Sequence, residues 1–305
     1  MTLDPSVLAV AASVAGAQQY PAPALYVVAT PIGNLADLSL RAVHVLALMD
    51  AVACEDTRHS APLLRQLGLD KPLLAVHGHN ERDAAAAVLG RLARGERVAY
   101  VSDAGTPAVS DPGAALVAAV VAAGYRAVPV PGASSALAAL SVAGDASGVP
   151  FTCVGFLPSR AGERTHALLR AAARAETVLL FEAPHRIEAL ATALATACPA
   201  RTATLCRELT KQFETVATMP CAALAGWLAA DANRTRGEFV VVLHARPGAE
   251  ATAGDGAGEP AHETTLRVLL AELPLKQAVA LAAKLTGAPR TALYERALAL
   301  KASAG

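Results

Sequence analysis

The chain has 305 residues, of which 54% are apolar and 4% aromatic, and its 26 basic and 26 acidic side chains leave no formal net charge. This length favours more than one domain, and the apolar content excludes disorder of the main body. The zero net charge excludes an overall basic field that would attract nucleic acid. Residues 151–246, however, hold eleven Lys and Arg against eight Asp and Glu, so a polyanion is expected to approach that part of the chain.

Residues 1–24 precede the first strand-like run. The small, apolar stretch 7–17 has no positive charge before it, unlike a secretory signal, and we expect a flexible N-terminal tail. No run is long enough to span a membrane. The five cysteines are odd in number and lack a C-x-x-C spacing, which favours buried reduced thiols over disulfides or a metal site and predicts a cytoplasmic protein.

The first half of the chain alternates short apolar runs with helix-like segments. Strands are predicted at 25–30, 51–54, 73–76, 98–102 and 126–130. This alternation is typical of an α/β fold with a parallel sheet, in which ligands bind at the loops that follow the strands. Gly33 after the first strand is a single glycine and not a G-x-G-x-x-G fingerprint, so a nicotinamide or flavin site is not supported.

The stretch VAYVSDAGTPAVSDPG, residues 98–113, is the central candidate for such a loop. Gly105 allows close approach of the main chain to a ligand, and a helix is expected to begin at Asp111 and Pro112. The alternative is an ordinary strand-to-helix turn. The loop after 130, PGASS, is similar in kind and precedes a helix of small residues.

Two further strand ends are rich in polar residues. The run Glu55 to His59 can hold functional groups, or else provide a helix cap at Asp56 or Thr57 with solvated charges. His77 and His79 follow the third strand, but they lack a cysteine or carboxylate partner at metal-ligand spacing, so no metal site is predicted.

The second half begins after a hinge at 144–150. Strands are predicted at 151–155, 177–181, 202–206, 214–219 and 239–243, and because helices are missing between some of them we expect a mixed sheet with antiparallel pairs. Residues 247–263 read as a linker. Short helices at 265–273, 274–286 and 288–302 predict a helical tail, either a helix-turn-helix-like module or an element of dimer packing.

Seven blocks taken together resemble a known family. They read, in order, LYVVATPIGNLADLSLRA, AVACEDTRHS, VSDAGTPAVSDPG, VPVPGASSALAAL, LLFEAPHR, CRELTKQFET and GEFVVVL. The series is similar to the ribosomal RNA small subunit methyltransferase family within the tetrapyrrole methylase superfamily, and the similarity extends through the helical tail. It implies two α/β domains of the class III methyltransferase type, 25–144 and 150–246, with a ligand cleft between them, then the linker 247–263 and a helix-turn-helix-like segment at 264–305.

The resemblance also implies an activity. S-adenosyl-L-methionine would be the methyl donor, and the ribose 2'-hydroxyl of a cytidine in 16S rRNA, at the decoding region of the small ribosomal subunit, would be the acceptor, with the enzyme a homodimer. The donor would contact residues of the strand-end loops of both domains, namely Ile32, Asp103, Ala104, Gly105, Thr106, Ser134, Ser135, Glu182, Ala183, Gly237 and Glu238. Asp103 is expected near the positive part of the donor, or else as a brace of its loop.

A ribose hydroxyl needs a base or a polarising partner. Glu55 and Glu182 are the predicted catalytic residues, chosen from the strand-end candidates Glu55, Asp56, His77, Glu182 and Glu208. RNA phosphates are expected to bind basic side chains of the same loops, namely Arg58, Arg160, Arg186, Arg207 and Lys211. Arg186 can instead form a structural bridge with Glu182, and any of these charges can belong to a solvated face.

Two alternative functions remain open from sequence. The same fold permits a methyltransferase that acts on a tetrapyrrole such as a porphyrinogen. A non-enzymatic ribosome-assembly factor that has kept the fold is the second alternative.

Overall fold

The computed structural model describes residues 4, 6–77, 81–109, 113–146, 150–246, 261–286 and 289–302. Four predicted features lie outside these residues: the linker up to residue 260, residues 147–149 of the hinge, the helix start at Asp111 and Pro112, and His79. The described part contains strands β1 Ala24–Val28, β2 Ala51–Cys54, β3 Leu73–Ala75, β4 Arg97–Val101, β5 Arg126–Val130, β6 Phe151–Phe156, β7 Thr177–Glu182, β8 Thr202–Arg207, β9 Thr215–Pro220 and β10 Phe239–Leu243.

Helices lie before, between and after these strands. They are α1 Ser6–Ala15, α2 Leu40–Leu48, α3 Thr57–Gln66, α4 Glu81–Ala93, α5 Ala114–Ala122, α6 Ser135–Val142, α7 Ala161–Ala173, α8 Ile187–Ala197, α9 Leu224–Ala229, α10 Ala261–Glu272, α11 Leu275–Thr286 and α12 Arg290–Ala302. Serine and aspartate side chains cap several of them: Ser39 accepts from Ala42 N at the start of α2, and Asp56 accepts from Arg58 N at the start of α3.

The first sheet has the order β3-β2-β4-β1-β5, and all its pairs are parallel. Its strands are buried on both faces: Tyr26 packs on the side of α2 and α3, whereas Leu25 and Tyr100 pack on the side of α4 and α5. This two-sided burial explains why the strands read as continuous apolar runs in the sequence. The expected parallel sheet is confirmed.

The second sheet has the order β6-β7-β10-β8-β9. Only β6 and β7 are parallel in it, whereas β10 is antiparallel to both β7 and β8, and β9 is antiparallel to β8. The prediction of a mixed sheet is therefore confirmed. One face packs against α7, α8 and α9, as shown by the buried cluster that includes Val178, Leu180, Leu190 and Leu224.

Helix α6 follows the first sheet in the chain but packs on the second one. Ala136, Ala139 and Ala143 form a buried cluster with Leu179 of β7 and Val242 of β10. Alanine side chains leave little space between helix and strand, so the loop after β5 is held close to the second sheet. Both sheets accordingly belong to one compact unit, Met1–Asp145 with Phe151–His244.

The N-terminal segment differs from the expected flexible tail. Residues 6–15 form α1, in which Ala11 and Ala15 are buried and Ala11 belongs to the core cluster of α2. The Tyr20 hydroxyl donates to Ala15 O at 2.9 Å. The small apolar side chains that resembled a signal segment are therefore a packing face, which sequence alone does not distinguish from an unstructured apolar run.

The C-terminal unit comprises Ala146–Pro150 and Ala245–Gly305. Within it, α10, α11 and α12 share a small core of Leu266, Val279, Ala282, Leu293 and Ala297. The predicted helical tail is thus confirmed as a helical segment with a core of its own. None of the helices that the structure describes has the length and apolarity needed to cross a bilayer.

The cysteines of the chain are free thiols. Four of them, Cys54, Cys198, Cys206 and Cys221, are buried as the sequence predicts, whereas Cys153 is exposed because β6 is an edge strand. Burial raises the pKa of Cys206 to about 12, so this thiol stays protonated at neutral pH.

Candidate active site

A cavity of about 410 Å³ lies at the carboxyl ends of β1, β4 and β5 and against strands of the second sheet. This main cavity is of a size typical of small-molecule sites. It is lined by Ile32, Glu55, Ala104, Gly105, Thr106, Val109, Ser134, Ser135, Phe156, Phe181, Glu182, Ala183, Pro184, Cys206, Leu209, Lys211, Glu238, Phe239 and Val240.

Hydrogen bonds tie the three strand-end loops of the first sheet together. Thr30 N donates to Gly105 O at 2.9 Å and Gly105 N donates to Thr30 O at 3.1 Å, which joins the loops after β1 and β4. The Thr106 hydroxyl donates to Ala133 O at 3.0 Å and so joins the loop after β4 to that after β5. Gly105 has φ +78, a conformation that favours glycine. The rim of the main cavity is therefore preformed.

The two sides of the main cavity differ in polarity. Ser134 and Ser135 lie at the start of α6, where Ser134 caps the helix by accepting from Leu137 N. On the second sheet, the rings of Phe156 and Phe181 stack edge to face with centroids 5.6 Å apart. The cavity thus combines hydroxyls and a helix N-terminus on one side with aromatic surface on the other, a combination suited to a ligand with a polar end and a flat apolar ring.

Most of the residues predicted to bind the donor line this cavity: Ile32, Ala104, Gly105, Thr106, Ser134, Ser135, Glu182, Ala183 and Glu238. Two do not. Gly237 lies behind the wall against the Glu208 side chain, and the Asp103 carboxylate lines a second cavity.

This side cavity, of about 340 Å³, adjoins the main one because both are lined by Ile32, Ala104, Lys211 and Glu238. In it, Asp103 Oδ2 lies 2.9 Å from His59 Nδ1 and Asp103 Oδ1 accepts from Asp56 N at 3.1 Å. Strands β2 and β4 are neighbours in the sheet, so α3 after β2 places His59 beside the loop after β4. Asp103 thus contacts the start of α3, as a residue that braces its loop would, and its contact with the donor stays a prediction.

Glu182, a predicted catalytic residue, has a fully buried side chain engaged in two ion pairs. Its Oε2 lies 2.8 Å from Arg164 Nη2 and its Oε1 lies 3.1 Å from Arg186 Nε. Oε1 also accepts from Ala183 N at 3.0 Å. Both carboxylate oxygens are thus engaged by cationic side chains, so these contacts favour an anchoring role over the catalytic role that the sequence predicts.

Glu55, the other predicted catalytic residue, lines the main cavity. His77, which was also considered, is exposed and lines neither cavity. Both members of the predicted pair, Glu55 and Glu182, therefore lie at the main cavity.

Lys211 is held between two carboxylates. Its Nζ donates to Glu208 Oε1 and to Glu238 Oε2, both at 2.8 Å. Two glycines with positive φ lie against these side chains, Gly33 against Lys211 and Gly237 against Glu208. Burial raises the pKa of Glu208, but hydrogen bonds from Lys211 and from the Glu238 backbone outweigh it, so the net pKa is lowered. Lys211 is therefore a charged group that is paired within the protein, and its predicted contact with an RNA phosphate stays a prediction.

The arginines predicted to bind RNA fall into two groups. Arg207 is buried and donates to Arg236 O and Phe213 O, and Arg186 donates to Leu157 O, so both stabilise the fold and are corrections to the prediction. The guanidinium groups of Arg58 and Arg160 are 88% and 84% exposed, pair only locally with Asp56 and Glu163, and remain candidates.

The Asp56 carboxylate accepts from Arg58 through the guanidinium and through the backbone N, and these hydrogen bonds lower its pKa to about 2. We expect Arg58→Ala to raise the pKa of Asp56 towards, but not fully to, its ordinary 3.8, because the backbone N–H still donates. Ionised Asp56 caps α3, and its stabilisation of the fold is fully present above the ordinary pKa of 3.8. That stabilisation is lost as the pH falls through the lower pKa of the folded protein. In the variant the folded pKa is higher, so the stabilisation is lost at a higher pH.

Carboxyl-carbon NMR titration measures this change. Arg65→Ala, at an exposed position in the last turn of the same helix, is the matched control and should leave the pKa of Asp56 unchanged. An Asp56 pKa that is equal in the Arg58 variant and the wild type would contradict the assignment.

The sequence placed His59 in the polar run after β2, but it predicted neither the contact of His59 with Asp103 nor the aromatic wall. That contact depends on the adjacency of β2 and β4, which local periodicity does not reveal. Phe181 was predicted only as a strand residue, and Phe156 directly follows a predicted strand. Among the residues described, no group of three or more His, Cys, Asp or Glu is arranged to hold a metal ion.

Comparison with known proteins agrees with this arrangement. Residues 24–225 match the family described as Tetrapyrrole (Corrin/Porphyrin) Methylases, and residues 256–301 match the one described as RsmI C-terminal HTH domain. Similar curated proteins named ribosomal RNA small subunit methyltransferase I include one from Pseudomonas aeruginosa, 47% identical over 90% of this chain and 96% of that protein. One from Neisseria meningitidis serogroup A is 48% identical over 91% of this chain and 94% of that protein.

Among solved structures, a uroporphyrin-III C-methyl transferase from Thermus thermophilus, complexed with S-adenyl homocysteine, superposes with a TM-score of 0.51. It is 18% identical and the match covers 72% of this chain and 97% of that chain. This likeness shows a common fold.

Proposed function

Since the chain belongs to the tetrapyrrole methylase family, we propose that it is an S-adenosylmethionine-dependent methyltransferase that acts on RNA of the small ribosomal subunit. The names of the relatives support ribosomal RNA as the substrate class. The finer assignment, the ribose 2'-hydroxyl of a cytidine in 16S rRNA at the decoding region, comes from the sequence resemblance and is part of the proposal.

The main cavity is the single observation on which the donor site rests. Its aromatic wall of Phe156 and Phe181 suits an adenine ring, and the hydroxyls of Ser134 and Ser135 at the start of α6 suit the polar amino-acid end. When bound, S-adenosylmethionine supplies an electrophilic methyl group. The preformed loops hold donor and acceptor in line, which is where much of the acceleration of a displacement reaction arises.

On the RNA side, the exposed guanidinium groups of Arg58 and Arg160 are proposed to bind phosphates. Their pairs with Asp56 and Glu163 are between exposed side chains and are easily exchanged for a phosphate. The helical C-terminal unit, which matches a family described by its HTH domain, is proposed as a further RNA contact.

A homodimer and a cytoplasmic location complete the proposal. Exposed apolar side chains on α6 and on the edge strand β6, namely Leu137, Val142, Phe151 and Phe156, offer apolar surface of the kind that dimers bury. Light scattering of the purified protein tests the dimer: a mass near twice the 30.9 kDa chain is expected, and a mass equal to one chain would refute it.

The activity is tested with tritiated S-adenosylmethionine and three acceptors: small subunits that lack the modification, protein-free 16S rRNA, and a porphyrinogen. Label is expected in RNA and, after nuclease digestion, in a 2'-O-methylcytidine. Label in the porphyrinogen alone would replace the proposal by a tetrapyrrole methyltransferase. A protein that binds no donor in calorimetry would instead be an assembly factor.

A further inference from the structure

The side cavity contains a histidine–aspartate pair that no predicted role accounts for. His59 Nδ1 lies 2.9 Å from Asp103 Oδ2, and the other oxygen of Asp103 accepts from Asp56 N. A carboxylate only accepts hydrogen bonds, so Nδ1 holds the proton and the lone pair of the neutral ring is on Nε2. Among the described residues Nε2 has no hydrogen-bond partner, and the His59 side chain is 67% exposed.

The position of this pair relates it to methyl transfer. The side cavity and the main cavity share Ile32, Ala104, Lys211 and Glu238 in their linings, so the two cavities adjoin. With the donor in the main cavity, the side cavity is the neighbouring space in which an acceptor nucleotide can lie. His59 is then on the acceptor side of the boundary.

We propose that His59 is the general base of the reaction and that Asp103 is the positioning residue that holds its ring. The proposal rests on the proposed function. The acceptor 2'-oxygen forms a bond to the methyl carbon, the carbon–sulfur bond breaks with its electron pair on sulfur, and the hydroxyl proton moves to Nε2 of His59. The resulting imidazolium is neutralised by Asp103 until the proton passes to water.

Three carboxylates near the two cavities are already engaged by cationic groups. Hydrogen bonds from Arg58 lower the pKa of Asp56 to about 2, and the pKa of Glu208 is also lowered. Glu182 is held between two arginines. Nε2 of His59, by contrast, has no hydrogen-bond partner among the described residues and is open to a proton donor.

The first test is His59→Ala in single-turnover methylation of unmodified small subunits. The rate is expected to fall about 100-fold or more, with donor affinity in calorimetry and thermal unfolding unchanged because the side chain is exposed and lies outside the main cavity. Added imidazole is expected to restore part of the rate, since it can occupy the vacated space. A structural role would not be rescued in this way.

Asp103→Asn tests the positioning role. The amide can donate to Nδ1 and so favours the wrong tautomer, so the rate is expected to fall while imidazole, whose site is still filled by His59, has no effect. His166→Ala, an exposed histidine on α7 outside both cavities, is the control and should match the wild type.

Three results would overturn the proposal: a His59→Ala rate equal to that of the wild type, loss of donor binding in parallel with the rate, or no imidazole rescue. These are distinct from failure of the proposed function, in which the wild type itself transfers no methyl group to ribose. That last result would remove both proposals together.

Discussion

Replacing Glu182 by glutamine is expected to lower the free energy of unfolding by about 3 kcal/mol. The substitution keeps the size of the side chain but removes its charge, and leaves Arg164 and Arg186 without their anion at a position that is fully buried. Removing one partner of a buried ion pair lowers the free energy of unfolding by more than the pair contributes to it, because the remaining charge is still desolvated. Urea unfolding followed by circular dichroism measures the change.

Glu163→Gln is the matched control. Glu163 pairs with Arg160, but both side chains are largely exposed, so this substitution should cost less than about 1 kcal/mol. Equal losses in the two variants would show that Glu182 is not an anchor. Strong methylation by a folded Glu182→Gln protein would at the same time exclude Glu182 as the base.

Replacing Gly105 by valine is expected to weaken binding of S-adenosylmethionine about 10-fold to 100-fold. A β-branched residue at φ +78 costs about 1–3 kcal/mol, and a factor of ten corresponds to about 1.4 kcal/mol. An added Cβ would also lie 3.3 Å from Ile32 Cγ2 and 3.6 Å from Ala133 O, so the relief of strain moves the loops that line the main cavity. Titration calorimetry with the donor measures the effect.

Gly124→Val is the control that distinguishes the general effect of backbone strain on stability from a specific effect on donor binding. Gly124 has φ +83, and nothing lies within 4 Å of its added Cβ, so it suffers the same strain at the end of α5, away from the main cavity. Both variants should lose similar stability, and only Gly105→Val should lose donor affinity. Unchanged affinity in Gly105→Val would show that the donor does not contact this loop.

The strands could be predicted from sequence because a buried strand is encoded by apolar residues within the strand itself. The runs Ala51–Cys54 and Phe239–Leu243 are apolar along their length, since these strands are buried on both faces of their sheets. The strand-end loops around Gly105 and Ser134 could be predicted for the same reason: glycine, proline and hydroxyl residues interrupt those runs at fixed places. Helix α1 could not, because an alanine-rich run becomes a helix only where a partner such as α2 covers it.

The site was predicted as a set of loops but not as a set of contacts. Asp103 and Glu182 were both placed at strand ends, yet one carboxylate meets His59 and the other meets two arginines. Similarly, Arg207 was predicted to bind an RNA phosphate, although its guanidinium donates to the backbone carbonyls of Arg236 and Phe213. All three are charged residues at a strand end, and this sequence pattern does not show which partner each side chain meets.

By itself, then, the sequence determined the α/β class, the order of strands and helices along the chain, and the loops that would bind a ligand, because periodicity and turn residues are local properties. Only the tertiary structure decided that α6 packs on the second sheet, that β2 lies beside β4, and hence that His59 meets Asp103. Those pairings join parts of the chain that are far apart in sequence, 44 residues for His59 and Asp103, and they are a consequence of packing and not of local pattern.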